Sequence, residues 1–281
     1  MIAQWIQKVF NSDKLSNAEI FKAIDDFGSS KEAEETSNRP EFLYELAKVH
    51  SEAAFILWQI QLQKKLLSWV INIAPAINLA GVQVIVSNLT PLLNENEVLV
   101  LKEGKGFLLA FTDQALRPVE KPLAFRKLVW KELGALSKED FLYNQNELDI
   151  FLKAEIVSIS AICAGAKFKS FQLASEYAST RIQGGRAIKD WSSIQLLLSE
   201  LYLSVKADEV LIQNMKIATA FSILLDADQF VSRNMQVFGG AGYIEDYVVE
   251  RLYRECIFLK NWPKPYKLEL INHYQNQVQN Q

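Results

Sequence analysis

The stretch Asn234-Met-Gln-Val-Phe-Gly-Gly-Ala-Gly-Tyr243, followed closely by Glu250-Arg-Leu-Tyr-Arg-Glu255, decides how the rest of the chain is read. Gly239, Gly240 and Gly242 stop the long helical pattern before them, and a second helical pattern begins at about Ile244. Backbone of this kind admits positive φ and close approach by a partner. Two readings follow from spacing alone. One is a sharp turn between helices. The other is a site for a phosphate or pyrophosphate beside the Gln236 amide, because free N–H groups near a helix start point outward.

Upstream, apolar residues from Ile150 through Val157, Ala164 and Phe171 to Ala178 alternate spacings of four and three, which predicts a helix of about thirty residues ended by Gly184 and Gly185. A second helix is marked by Ile194 to Val205 and a third by Val210 to Met235. A fourth, marked by Val248 to Leu259, runs to the break at Trp262-Pro-Lys-Pro265. Long helices joined by short turns pack as antiparallel neighbours, so residues 147–281 read as an up-and-down four-helix bundle domain. Residues 1–80 read as an N-terminal helical region. Within it Ser16 and Glu19 form a capping box, and a stripe from Phe42 runs to about Pro75 with His50 at its rim. Between them, residues 81–146 read as a reduced β-domain: Val82, Val84 and Val86 alternate, Glu97–Leu101 and Phe107–Phe111 flank a glycine-containing turn, and Phe125–Val129 is a further candidate strand. The fold class is thus mainly α with a small β-region.

Composition narrows the function classes. The 281 residues are 49% hydrophobic and 22% charged with a net charge of −3, so no basic surface invites nucleic acid or an anionic membrane. The most lipid-like stretch, Val70 to Val86, contains Asn72, Pro75 and Gln83, which argues against a membrane span. With no targeting segment in view, a cytoplasmic location is the expectation. Cys163 and Cys256 are isolated within apolar helical patterns and read as buried thiols. With only two histidines, no metal site is expected.

The two halves of the opening stretch, Gln236-Val-Phe-Gly-Gly-Ala-Gly-Tyr243 and Val249-Glu-Arg-Leu-Tyr-Arg-Glu255, resemble the C-terminal signature of acyl-CoA dehydrogenases, Q-x-F-G-G-x-G-Y/F ahead of P-x-E-R/K-x-x-R-D. Tyr177-Ala-Ser-Thr-Arg-Ile-Gln-Gly-Gly185 is similar to the family's Y-A-x-x-R-x-x-F-G block, with Gly184 where the family has Phe. The resemblance covers roughly residues 145 to 265. It implies that Arg181, Gln236 and Gly240, with Gly239 beside them, hold the pyrophosphate of an FAD bound to a neighbouring subunit, and hence a homodimer or homotetramer. Arg181 has a plainer reading too, as a cation complementing a helix terminus, although a guanidinium fork also suits two phosphate oxygens.

The chain departs from the family in two places. The flavin-ring motifs T-E-P-x-x-G-S-D and W-x-T/S are missing, and the E-G-T element that carries the usual catalytic base reads Asn261-Trp-Pro-Lys-Pro265, with Pro263 in place of the Glu. A minority of the family keeps the base 26 residues before the Arg block, a place held here by Glu155. Glu155 shares a helical face with Ile159, Ile162 and Ala166, where desolvation raises a carboxylate pKa and suits removal of a thioester α-proton. The alternative is a surface residue offsetting the helix dipole. Two functions are therefore expected. One is a flavoprotein oxidoreductase of fatty acid metabolism acting on the CH–CH group of an acyl-CoA or other acyl thioester. The other is an inactive relative serving as structural or partner subunit, in a hetero-oligomer with a complete family member.

Overall fold

The computed structural model describes residues 39–67, 72–79, 82–87, 97–102, 105–110, 117–118, 129–133, 141–142, 145–245 and 247–261, together with Ile6, Glu19, Lys22, Ala23 and Gln275. Ser16 of the expected capping box, the start of the expected strand at Phe125 and the Trp262–Pro265 break lie outside these residues. The chain divides into two compact units, Met1–Trp58 with Val157–Lys260, and Gln59–Ile156 with Asn261–Gln281, where the sequence pattern suggests three consecutive domains.

The second unit holds a seven-stranded sheet. Its strands are β1 (Asn72–Leu79), β2 (Val82–Ser87), β3 (Glu97–Lys102), β4 (Lys105–Ala110), β5 (Arg117–Pro118), β6 (Val129–Leu133) and β7 (Phe141–Leu142), in the order β5-β6-β2-β1-β3-β4-β7. The hairpin expected around residues 102–106 is present, with Lys102 opposite Lys105 and Glu97 opposite Ala110. All described pairings are antiparallel except β1 with β3. Strand β1 changes partner along its length: Asn72–Pro75 pair with β3 and Ala76–Leu79 with β2. Pro75, which has no N–H to donate, ends the first of these pairings. This strand falls in what the pattern assigned to the N-terminal helices. Asn72-Ile-Ala-Pro-Ala-Ile-Asn-Leu79 is a short apolar run, and such a run fits a strand and a helix end equally well by period.

Helix α1 (Pro40–Leu67) stops short of Pro75, and it is two helices joined at His50, whose backbone is non-helical (φ −150°, ψ 96°). His50 Nδ1 accepts a hydrogen bond from the Ala53 N–H at 3.2 Å, which is the bond an N-cap side chain makes to the third residue of the helix that follows. His50 is buried at 2% exposure and so is a joint inside the core, not the rim residue its place on the stripe suggested.

The first unit contains α2 (Gln145–Thr180) from Val157 onward, followed by α3 (Ser192–Gln213), α4 (Ile217–Phe238) and α5 (Val248–Asn261). Ser160, Lys167 and Ser170 of α2 meet Ala220, Asp226 and Asn234 of α4, so these two helices run parallel. Lys167 and Phe171 meet Asp208 and Tyr202, which makes α3 antiparallel to both. Lys260 reaches Asp228 at 2.5 Å, reversing α5 against α4. This is the expected up-down-up-down bundle, with one boundary corrected: Val210 belongs to the last turn of α3, and α4 starts after Lys216, whose N–H is capped by Thr219 Oγ1 at 2.8 Å. The residues between, Asn214 to Lys216, contain no Gly or Pro to signal the break.

The first part of α1 packs on the bundle as a fifth helix. A side chain added at Gly165 would lie 2.5 Å from Ala47 Cβ and 2.6 Å from the Tyr44 carbonyl oxygen, so α1 and α2 touch backbone to backbone there. The core is small and aliphatic at this crossing, with Ala47, Ala53, Ala161 and Ala164 almost fully buried. Inside the bundle, Lys167 has no exposed surface and its ammonium lies 2.7 Å from Asp208 and 2.9 Å from Asp226. Burial pulls the Lys167 pKa down, but the two carboxylates outweigh it and hold the group above the ordinary lysine value. Among the described residues no helix is long and apolar enough to cross a membrane.

Candidate functional site

The bundle directions bring three helix ends together at one pole: the C-termini of α2 and α4 and the N-terminus of α3. Between them is a cavity of about 670 Å³. Arg181, Gln236, Gly239 and Gly240, the four residues singled out as a cofactor set, all line it, together with Tyr177 and Trp191.

Each wall has a local cause. Helix α2 ends as the Arg181 N–H bonds the Tyr177 carbonyl at 2.9 Å, and the Arg181 carbonyl then accepts from the Ile188 N–H at 2.9 Å. That second bond closes a two-stranded hairpin, β8 (Ile182–Gln183) with β9 (Arg186–Ala187). Its tip needs both glycines, since Gly184 and Gly185 have φ of 58° and 80°, the pair of positive angles of a type I′ turn. A 3-10 turn over Ile188–Asp190 leads into α3, with Ile188 buried beneath. On the other wall α4 ends at Gly239, again at positive φ (59°), and a 3-10 turn over Gly239–Tyr243 follows; the helix expected from about Ile244 begins a turn later, at Val248.

The two glycines at this end differ. Gly239 is required by its backbone angle. Gly240 has no such angle, and a Cβ added there would meet nothing within 4 Å. The fold therefore does not need glycine at 240, and its bare backbone faces the cavity. Gly242 is different again, packed against Phe238 and Met235.

Charge at the site is positive. Arg181 is exposed, and among the described residues its guanidinium has no ion-pair partner. Helix α3 also opens onto the cavity through Ser193 and Ile194, with no acidic residue in its first turn. The N–H groups of that turn have no partner inside the helix, so they and the helix dipole favour an anion. The helix start at the site is thus that of α3, not that of the helix after the glycines. Trp191-Ser-Ser193 ahead of an apolar run was the available signal for it.

The second half of the signature does not line the cavity. Glu250 and Arg254 pair along α5 at 2.7 Å, and Glu255, 1% exposed, is bonded by Ser51 Oγ of α1 and lies 3.4 Å from Arg251. This run locks α5 to α1. Burial pushes Glu255 up to about 7, against the pull of Arg251 and the Ser51 hydrogen bond. A carboxyl whose folded pKa is raised from 4.5 binds its proton more tightly in the native chain. Its stabilising effect is full below the unfolded value and is lost as pH rises through about 7. Glu255→Gln, which mimics the protonated form, is expected to be near neutral at acid pH and stabilising by on the order of 3 kcal/mol at pH 8. Urea unfolding of both proteins at the two pH values measures this; an equal difference at both would show that titration of Glu255 is not the cause.

Glu155 lies elsewhere on α2. It is buried at 1% exposure on the face of Ile159, Ile162 and Ala166, which sets aside its reading as a surface residue. Because α2 begins at Gln145, Glu155 also lies well beyond the first turn. It does not line the cavity. The 26 residues from Glu155 to Arg181 span roughly 39 Å of helix at about 1.5 Å per residue. Cys163 and Cys256 are buried thiols, as their setting predicted.

These features define a class: a helical bundle joined to a mixed sheet, with a cationic, glycine-walled cavity at one pole. The fold is that of the acyl-CoA dehydrogenases. It is similar in structure to the acyl-CoA dehydrogenase of Geobacillus kaustophilus (TM-score 0.62, 14% identity, covering 97% of this chain and 92% of that one). Butyryl-CoA dehydrogenase of Megasphaera elsdenii is comparable (0.61, 13%, 98% and 89%), as is the ChsE4-ChsE5 complex of Mycobacterium tuberculosis (0.62, 14%, 98% and 95%). In sequence, 94 residues are 29% identical to the CarC subunit of the caffeyl-CoA reductase-Etf complex of Acetobacterium woodii, covering 29% of this chain and 25% of that protein. A 3-(aryl)acrylate reductase of Clostridium sporogenes is 28% identical over 112 residues, covering 35% and 30%. The chain thus matches between a quarter and a third of the length of these curated relatives. No family model matches it.

Proposed function

We propose that the cavity binds the pyrophosphate of FAD and that the chain is a flavoprotein of acyl-CoA dehydrogenase type. The observation that carries this reading is the convergence of Arg181, Gln236, Gly239 and Gly240, from two helix ends distant in sequence, on one cavity where Gly240 leaves backbone bare without the fold requiring it. The residues fit the group. Arg181 offers a planar fork to two phosphate oxygens, α3 offers unpaired N–H groups, and Gln236 offers an amide. FAD, when bound, supplies the hydride acceptor for α,β-dehydrogenation of an acyl thioester. Glu155, a carboxylate on a buried face, is our candidate for taking the α-proton. A site shared between protomers accounts for its separation from Arg181, and Leu196, Leu203 and Val210, exposed at spacings of seven on α3, give the bundle an apolar stripe for a second chain.

A second reading rests on Pro263, which cannot abstract a proton, and on the missing ring-binding motifs. In it the chain is a partner subunit that contributes the pyrophosphate end to a complete family member. Flavin titration tests both readings. Arg181→Ala is expected to weaken FAD by about 1.5–3 kcal/mol, roughly ten- to a hundredfold, with Arg181→Lys recovering part of it. Gly240→Val is expected to weaken FAD further while leaving the unfolding midpoint unchanged, because a Cβ there meets nothing within 4 Å and Gly240 lines the cavity. Unchanged affinity in a folded Arg181→Ala protein rejects the site. Binding that appears only after addition of a complete acyl-CoA dehydrogenase favours the second reading.

A further inference from the structure

The cavity has an aromatic wall that the pyrophosphate reading does not use. Tyr177 and Phe238 are stacked on one another, with ring centroids 4.7 Å apart and planes at 31°, so these two rings already have partners. Trp191 does not share that pairing. It is 40% exposed, lines the cavity, and carries the Arg186 guanidinium 4.0 Å from its ring centroid. Arg186 is not among the cavity residues, so the cation that braces the indole leaves the cavity itself clear. The tip of the β8–β9 hairpin makes this possible. A Cβ on Gly184 would lie 3.0 Å from Cζ2 of Trp191, and Gly184 has φ of 58°, so the indole packs tightly against a position that has no side chain. The acyl-CoA dehydrogenase block has Phe at that place. Here the aromatic ring comes instead from seven residues further on.

We propose that Trp191, backed by Arg186, is the platform on which a purine base stacks, so that this chain recognises the nucleoside-diphosphate end of its ligand. The proposal rests on the pyrophosphate reading of the same cavity. An indole face suits any flat heteroaromatic ring, and the cation held against it fixes the ring in place. Arg181 and the first turn of α3 then hold the phosphates. The consequence is that ADP binds without the flavin half.

The test titrates the full chain with ADP, FAD, FMN and inorganic pyrophosphate by calorimetry, and with ADP by tryptophan emission. ADP is expected to bind, to compete with FAD and to quench emission, whereas FMN does not compete. Trp191→Leu should lose roughly tenfold or more of the ADP affinity with pyrophosphate binding unchanged, and Trp191→Phe should keep most of it. The chain has six tryptophans, so the quench is assigned by its disappearance in Trp191→Phe. Wild-type ADP affinity in Trp191→Leu overturns the platform, as does an equal loss in both variants or ADP binding without a quench. If Trp191→Leu does not fold, the quench and its loss in Trp191→Phe decide alone. A platform that fails while Arg181→Ala still weakens FAD and pyrophosphate leaves the pyrophosphate reading standing; absence of any nucleotide or pyrophosphate binding removes both.

Discussion

Lys167→Met is expected to destabilise the chain by about 3–5 kcal/mol, because it leaves Asp208, 4% exposed, as a buried carboxylate with its cation gone. Asp226 suffers less: its side chain is 42% exposed and it keeps the hydrogen bond from Ser204 at 2.9 Å. Replacing both members, as Lys167→Met with Asp208→Leu, should recover most of the loss, since an apolar pair of similar volume carries no desolvation cost. Denaturant unfolding of the two single variants and the double measures the coupling. Additive losses would mean that the pair is not a functional unit of the core.

Gly165→Val is expected to cost at least about 3 kcal/mol, the upper end for forcing extra atoms into a packed core. The smaller change Gly165→Ala decides between two effects. Alanine gains up to about 1 kcal/mol of helix propensity over glycine, but its Cβ would meet Ala47 Cβ at 2.5 Å and the Tyr44 carbonyl at 2.6 Å. Contact with backbone cannot be relieved by a rotamer change, so the crossing of α1 and α2 must widen, and a net loss is expected. Ala47→Gly in the same chain should restore only part, because the Tyr44 contact remains. A stabilised Gly165→Ala would show that the two helices do not cross as described.

The bundle was legible because its signals are local and repeated. Spacings of four and three persist from Val157 to Ala178 in α2, and paired glycines end α4; α2 stops at Thr180, and the glycine pair expected to end it forms the hairpin tip just beyond. The same reasoning picked out four residues that line one cavity, since Arg181, Gln236, Gly239 and Gly240 each sit beside a helix stop that composition announces. What stayed hidden depends on contacts between distant segments. The halving of α1 at His50 depends on an imidazole capping Ala53, and nothing in the spacing of the stripe requires it. Strand β1 depends on two partners, β2 and β3, which no window around Pro75 contains. Trp191 and the start of α3 belong to the site only because the hairpin at Gly184 and Gly185 folds back, whereas the glycines alone announced a simple turn between helices. Glu155 is buried as its face predicted, but its role depends on what lies opposite it.

The first unit is discontinuous in sequence, and this sets the order in which it can form during synthesis. Ala47 leaves the ribosome 118 residues before Gly165, its neighbour across the α1–α2 crossing, which at about 5–20 residues per second is roughly 6–24 s. For that interval Leu43, Leu46, Phe55 and Leu57, each buried in the finished protein, have none of the bundle to cover them. The first part of α1 is therefore a stretch for which a nascent-chain chaperone would compete, and it joins its unit only after the whole inserted sheet has been made.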